Sequence, residues 1–446
     1  MGNAVNNQKI RNLSMQKYRG VLVESMQMHL RAMEAGDYSY NNPLFVWGPP
    51  GIGKSMILLS ICRETWLNAK DAKGKMLFDE KFLNELRPWD ASQWPLYTTE
   101  QREKVNTFKQ GWVLMDVRLS QVDPVEIKGA PMYDYKNLKA SFVRFSSILP
   151  DPNIENPTFL FLDELPLASE MVQSAGYQLI NDRRIGDYHL PRKCQVVSAG
   201  NRPEDGGVHN EMSPALVNRF DHVGLDIDYD GFVKYVSNGH GYDETMVAFL
   251  MYSKEQDKDA LYKLDISNVG NFPTFRSWEK ALRKVKYGSK EYEALADSVG
   301  QAVAAKFENF KEITKDIPDA ETLVTKKIYY EEVALQLVAS QKVGNHLLNK
   351  ELSAKMSEDK SHNYFRYFVD MKNPKDKSDS REELTILFLV NVKGNLEVLD
   401  KIDKGMQKAI KAGKLKVEKH PETGDEMKDV YGLIFGKWRS LSDIEG

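Results

Sequence analysis

Residues 48–55 read Gly48-Pro49-Pro50-Gly51-Ile52-Gly53-Lys54-Ser55, and no other stretch of the chain constrains its fold so tightly. They follow a short apolar segment, residues 43–47 (PLFVW), and precede a stretch at 54–66 that reads as a helix. Strand, glycine-rich turn and helix together form the context in which the pattern G-x-x-x-x-G-K-[ST] works. The glycines let backbone N–H groups converge on phosphate oxygens, the Lys54 ammonium neutralises the β and γ oxygens, and the Ser55 hydroxyl is available to Mg²⁺. The following helix adds the positive end of its dipole. The nucleotide-binding set expected from the run is Gly48, Pro49, Pro50, Gly51, Ile52, Gly53, Lys54 and Ser55, extended to Met56 in the first helical turn, with ATP and Mg²⁺ as ligands.

Four further strands are expected, at residues 112–119 (WVLMDVRL), 158–164 (TFLFLDE), 195–201 (QVVSAGN) and 222–228 (HVGLDID). Helical patterns lie between them, notably at 170–181 and 214–219. This alternation predicts a three-layer α/β core with a parallel five-stranded sheet. The runs at 158–164 and 195–201 are almost continuously apolar, as strands covered on both faces must be. The first of them delivers Asp163 to its C-terminal end, where the carboxylate can hold Mg²⁺ together with Ser55. Glu164, next in line, is placed to orient and deprotonate an attacking water.

The rest of the chain reads as mostly helical. Residues 1–42 form an N-terminal helical segment, with Ile10, Leu13, Tyr18, Val21, Leu22, Met26 and Leu30 at helical spacing over 9–36. The α/β core spans 43–230 and carries a charged, irregular insertion at about 67–110. A helical lid at 231–315 and a helical region at 316–446 follow. The latter has patterns at 328–356, 382–398 and 401–411, with a polar linker at 371–380. Its role is not legible.

Composition narrows the function classes. Hydrophobic residues make up 41% and charged residues 28%, as in an ordinary globular protein. A formal charge of −3 supplies no global basic field for nucleic acid. Cys62 and Cys194 stand far apart in apolar runs, which reads as two reduced core thiols. No apolar run reaches the ~20 residues of a membrane span. The N-terminus lacks a signal-peptide layout, and Asn6 stands where a myristoylation signal needs Ser or Thr. A cytoplasmic protein with no membrane contact is expected.

Five more segments occur in order: DVRLSQVDPVEIKGAP (116–131), YQLINDRRIGDYHLP (177–191), SAGNRPEDGG (198–207), SPALVNRF (213–220) and FPTFRSWE (272–279). With the phosphate loop and the strand ending in Asp163-Glu164, this ordered set resembles the MoxR-type branch of the AAA+ ATPases over residues 40–285. The resemblance implies roles for three residues. Asn201 would be the first sensor, near the γ-phosphate or the lytic water, although a strand-end turn residue is the plain alternative. Arg219 would be an arginine finger reaching into the next subunit's site, against the alternative of a surface ion pair. Arg276 would be a second sensor on the lid. Arg118, Arg183 and Arg184 also match family positions without an assigned role, and an ion-pair network is the alternative for each.

The resemblance further implies a homo-oligomeric ring, taken as a hexamer. Such a ring remodels a client protein complex with a separate von Willebrand factor A-domain partner. The segment 184–190 suggests a hairpin turning at Gly186-Asp187, either structural or in touch with substrate. Trp66, Trp89 and Trp94 in and beside the insertion either pack on the core or mark a partner surface. The stretch 401–420 holds seven lysines against Asp403 and Glu418, with no interleaved aromatics, and reads as a solvated face before it reads as a nucleic-acid contact. Two other functions are weighed against the remodelling ATPase: a nucleic-acid motor or loader, and an ATP-dependent assembly switch.

Overall fold

The computed structural model describes residues 10–348, apart from 138, 203, 204, 206–211, 238–240, 265–269 and 331, together with a few short stretches beyond 348. The chain divides into two compact units, Met1–Asp228 and Tyr229–Gly446.

The first unit runs β1 (Arg11–Leu13), α1 (Met15–Glu34), β2 (Leu44–Trp47), α2 (Lys54–Leu67), α3 (Glu80–Leu86), α4 (Thr99–Asn106), β3 (Val113–Arg118) and α5 (Pro124–Lys128). It continues with β4 (Ala130–Asp134), β5 (Lys139–Val143), β6 (Thr158–Asp163), α6 (Glu170–Asp182), β7 (Arg184–Ile185), β8 (Tyr188–His189), β9 (Cys194–Gly200), α7 (Pro214–Val217) and β10 (Asp221–Leu225). The central sheet has the order β1-β10-β2-β9-β6-β3, and every neighbouring pair in it is parallel. All the C-terminal strand ends therefore share one edge, and those of β2, β9 and β6 lie side by side. β9 is buried along its whole length and β6 along all but its last residue. That is the burial expected of strands covered on both faces, and the architecture is α/β around a parallel sheet.

The sheet has six strands, one more than the sequence patterning indicates. Residues 9–36 read as one helix, but Arg11–Leu13 pairs in parallel with Val223–Leu225, and the helix starts only at Met15. The Ser14 side chain accepts from the Lys17 amide and marks that start. Without β1, β10 would be an open sheet edge, so covering it satisfies a row of backbone groups. Leu13 is buried while Ile10 is exposed, so the helical spacing of those two residues is coincidental.

The insertion is ordered into α3, a short 3-10 turn at Ala91–Leu96 and α4, where Thr98 and Gln101 form a capping box. Trp66 is fully buried and donates its indole N–H to the Trp112 carbonyl at 2.9 Å. Trp89 is buried too, and half-buried Trp94 donates to the Pro88 carbonyl at 2.9 Å. Of the two readings for these rings, packing is the one that Trp66 and Trp89 take. Cys62 and Cys194 are buried, unpaired thiols.

Two antiparallel hairpins accompany the sheet in this unit. The β7–β8 pair turns at Gly186-Asp187 as the sequence suggests, and Gly186 has φ 55°. The β4–β5 pair, Ala130 opposite Val143 through Asp134 opposite Lys139, has no counterpart in the sequence patterning.

The second unit is helical over its described core: α8 (Tyr229–Ser237), α9 (Glu244–Gln256), α10 (Lys258–Leu261), α11 (Phe275–Lys286), α12 (Glu291–Ser298), α13 (Gln301–Thr314), α14 (Ala320–Lys326) and α15 (Val333–Leu348). Phe249 meets Phe307 and Phe310 edge to face, and buried Trp278 donates to the Ala260 carbonyl at 2.9 Å. The expected linker at 371–380 and helix at 382–398 lie outside the described residues, as do parts of the helix expected at 328–356 and most of the lysine-rich stretch at 401–420. Among the described residues no helix is long and apolar enough to cross a membrane.

Candidate functional site

The site forms where β2 ends. Ile52, 1% exposed, anchors the loop that follows, while Gly51 and Gly53 take φ of 75° and 98°, a region open to glycine at no steric cost. Gly53 is also the N-cap of α2 and has no side chain to satisfy the first helical amides. The loop thus presents backbone donors and the positive end of a 14-residue helix to one point.

Lys54 reaches back over this loop. Its ammonium donates to the carbonyls of Gly48 at 2.6 Å and Pro49 at 3.1 Å, and to Asn201 Oδ1 at 2.9 Å. Asn201 follows the last residue of β9, and that strand's end is drawn close to both neighbours. The Gly48 amide donates to the Gly200 carbonyl at 3.2 Å, and a Cβ on Gly200 would lie 2.5 Å from Pro166 Cγ. Gly200 therefore allows β9, the loop and the turn after β6 to converge.

That turn carries the two acidic residues. Asp163 ends β6 and is half-buried, and its carboxylate accepts from the Glu164 amide at 2.9 Å. Burial raises the Asp163 carboxyl above the ordinary range, while the Lys54 charge and the Glu164 amide pull it back. Glu164 adopts φ 58°, a left-handed conformation unusual for a residue with a side chain. The Ser120 hydroxyl donates to Glu164 Oε2, and Arg118 Nε stands 3.7 Å from Oε1. Arg118 faces Asp163 directly across the β3–β6 ladder.

Ser55 is half-buried at the start of α2. A serine hydroxyl and an aspartate carboxylate are hard oxygen donors, the set that suits Mg²⁺ held chiefly by phosphates and water. The Met56 side chain is 46% exposed.

Asp116 adds a third carboxyl nearby. Crowding by the surrounding protein, then the Asp163 charge, push it up to about 6, although the side chain keeps an open face to solvent. A carboxyl raised on folding binds protons more tightly in the native than in the unfolded chain. Stability should therefore fall as pH rises from the ordinary aspartate range near 4 through about 6. Asp163, shifted the same way, contributes with the same sign. Asp116→Asn should flatten, without abolishing, that part of the profile of unfolding midpoint against pH. An unchanged slope would show that Asp116 carries no such shift.

The arginines separate. Arg219 is exposed in the turn after α7, and its Nε and Nη2 donate to the Tyr177 hydroxyl at 3.3 and 3.1 Å. Arg183 closes α6 with φ 55° and donates to the carbonyls of Pro191 at 3.0 Å and Arg192 at 3.4 Å, so it fastens the β7–β8 hairpin. Arg184 is exposed on that hairpin. Arg276 belongs to the second unit, exposed in the first turn of α11 beside the Thr274–Ser277 capping box. The structure thus brings Lys54 and Asn201 into direct contact and sets Asp163-Glu164 at the neighbouring strand end. Sequence reasoning does not single out Ser120, Tyr177 or His222. Ser120 is within its reach, because it lies inside the motif that carries Arg118.

No protein-family model matches the chain, and no curated protein matches it. Among solved structures it is similar to a Thermotoga maritima RuvB point mutant at 11% identity, with 86% of this chain and 92% of that chain covered and a TM-score of 0.31. Caenorhabditis elegans PCH-2 matches at 11% identity over 73% of this chain and 68% of that chain, with a TM-score of 0.28. NtrX from Brucella abortus matches at 12% identity over 82% and 67%, with a TM-score of 0.24. Superpositions this loose transfer no property of those proteins to this one.

Proposed function

We propose that this chain is a Mg²⁺-dependent ATPase of the AAA+ type, MoxR-like, working as a homo-oligomeric ring that remodels a protein complex. The observation that carries the reading is the contact of Lys54 Nζ with Asn201 Oδ1 at 2.9 Å, made over a glycine-rich loop at a helix N-terminus. Two residues 147 positions apart, matched to family roles independently, meet at one point. In this reading the loop amides and Lys54 bind the phosphates, and Ser55 and Asp163 hold Mg²⁺. Glu164 takes the proton of the attacking water while Asn201 orients it. Arg219 is offered to the adjacent subunit, and Arg276 reports nucleotide state from the lid at 231–315. A separate protein with a von Willebrand factor A domain serves as partner.

Tagged Glu164→Gln protein, loaded with ATP and Mg²⁺, should retain its client because it binds nucleotide without turnover. A stoichiometric protein in the recovered material, read by mass spectrometry, would support the remodelling role. Nuclease-sensitive nucleic acid without a protein partner would replace it with a nucleic-acid motor. ATP-driven assembly unaltered by Glu164→Gln, with no client of either kind, would make the chain an assembly switch.

A further inference from the structure

The geometry points to Tyr177 as a positioning residue for Arg219, one that holds the guanidinium in the pose it offers to the adjacent subunit; this rests on the reading of Arg219 as a finger. An exposed arginine samples many rotamers, and a finger must lose most of them before the transition state to be effective. Tyr177 restrains Arg219 in two ways. Its hydroxyl accepts from both Nε and Nη2, at 3.3 and 3.1 Å, and its ring lies 5.7 Å from the guanidinium carbon. Tyr177 is itself half-buried on α6, the 13-residue helix that follows the Asp163-Glu164 turn, so the support is rigid.

The other side of the finger's turn is also fixed. The Trp47 indole N–H can only donate, so His222 Nδ1, at 2.9 Å, is the acceptor. The ring proton then sits on Nε2, which donates to the Val217 carbonyl at 2.8 Å. Val217 ends α7, two residues before Arg219, and buried Phe220 beyond it packs edge to face on Phe45. The base of the finger is therefore held by β2 and β10, which leaves the guanidinium as the part that Tyr177 must place.

The test uses mixed rings. Arg219→Ala subunits keep a nucleotide site but offer no finger, and Lys54→Ala subunits offer a finger but bind no nucleotide. Mixing them should restore turnover. Adding Tyr177→Phe to the Lys54→Ala donor should cut the recovered turnover at least about tenfold, because both hydrogen bonds from the charged guanidinium lose their acceptor, with KM for ATP unchanged. Tyr177→Leu, which also removes the ring, should cut it further. The same substitutions on the Arg219→Ala acceptor should leave the recovery intact, an asymmetry that a merely structural tyrosine would not produce. Equal loss on both sides, or no loss on either, overturns the positioning role while leaving the finger in place. No recovery in the parent mixture overturns both.

Discussion

Lys54→Ala protein should bind ATP at least about 100-fold more weakly than the wild type, since two or more charge-assisted hydrogen bonds to phosphate are lost at about 1.5–3 kcal/mol each. The same amine caps the Gly48 and Pro49 carbonyls and contacts Asn201, so its loss also loosens the loop that the phosphates must meet. A second effect runs in the same direction. The Lys54 charge opposes the burial that raises the Asp163 carboxyl, and without it Asp163 protonates more readily and holds Mg²⁺ less well. Titration with a fluorescent ATP analogue measures the affinity directly. Thermal unfolding supplies the control: wild-type protein at 100 times its Kd gains about 2.7 kcal/mol from ATP, whereas the variant should melt normally alone and gain almost nothing. Wild-type affinity in the variant would remove the basis for assigning the loop to nucleotide.

What is legible in the sequence follows the range of each interaction. The phosphate loop, its flanking strand and helix, and the strand ending in Asp163 are specified by neighbours along the chain, and they stand where the pattern places them. The β7–β8 hairpin is legible because Gly186-Asp187 is a local turn signal between two short apolar-polar pairs. β1 is not. Three residues cannot display a period, and their partner Val223–Leu225 lies more than 200 positions away. The β4–β5 hairpin escapes notice for a related reason, because Met132, Tyr133 and Phe142 are apolar yet exposed, so no apolar-in, polar-out alternation marks these strands. In the site, residue types announce the chemistry but not its restraints. Ser120 and Arg118 on Glu164, and Tyr177 on Arg219, are contacts between elements, and a single sequence carries no signal for such pairs.

Those restraints bear on the second large effect. Glu164→Gln should lower the steady-state turnover of ATP by about 10²–10⁴-fold, the usual contribution of a positioned general base, while leaving ATP affinity close to wild type. The substitution is conservative in shape. The amide carbonyl it introduces would still accept from Ser120, the left-handed backbone at φ 58° is no worse for glutamine than for glutamate, and only the 3.7 Å ion pair with Arg118 is lost. That pair is partly exposed and worth little to stability, so the unfolding midpoint should barely move. A drop in turnover without a drop in affinity or melting temperature therefore isolates the proton-transfer step. The measurement is steady-state phosphate release beside single-turnover hydrolysis in the presence of Mg²⁺. If turnover falls less than about tenfold, below the general-base range, Glu164 is not the base. Asp116, on the adjacent strand with its carboxyl pushed up to about 6, is then the group whose removal should be tried next.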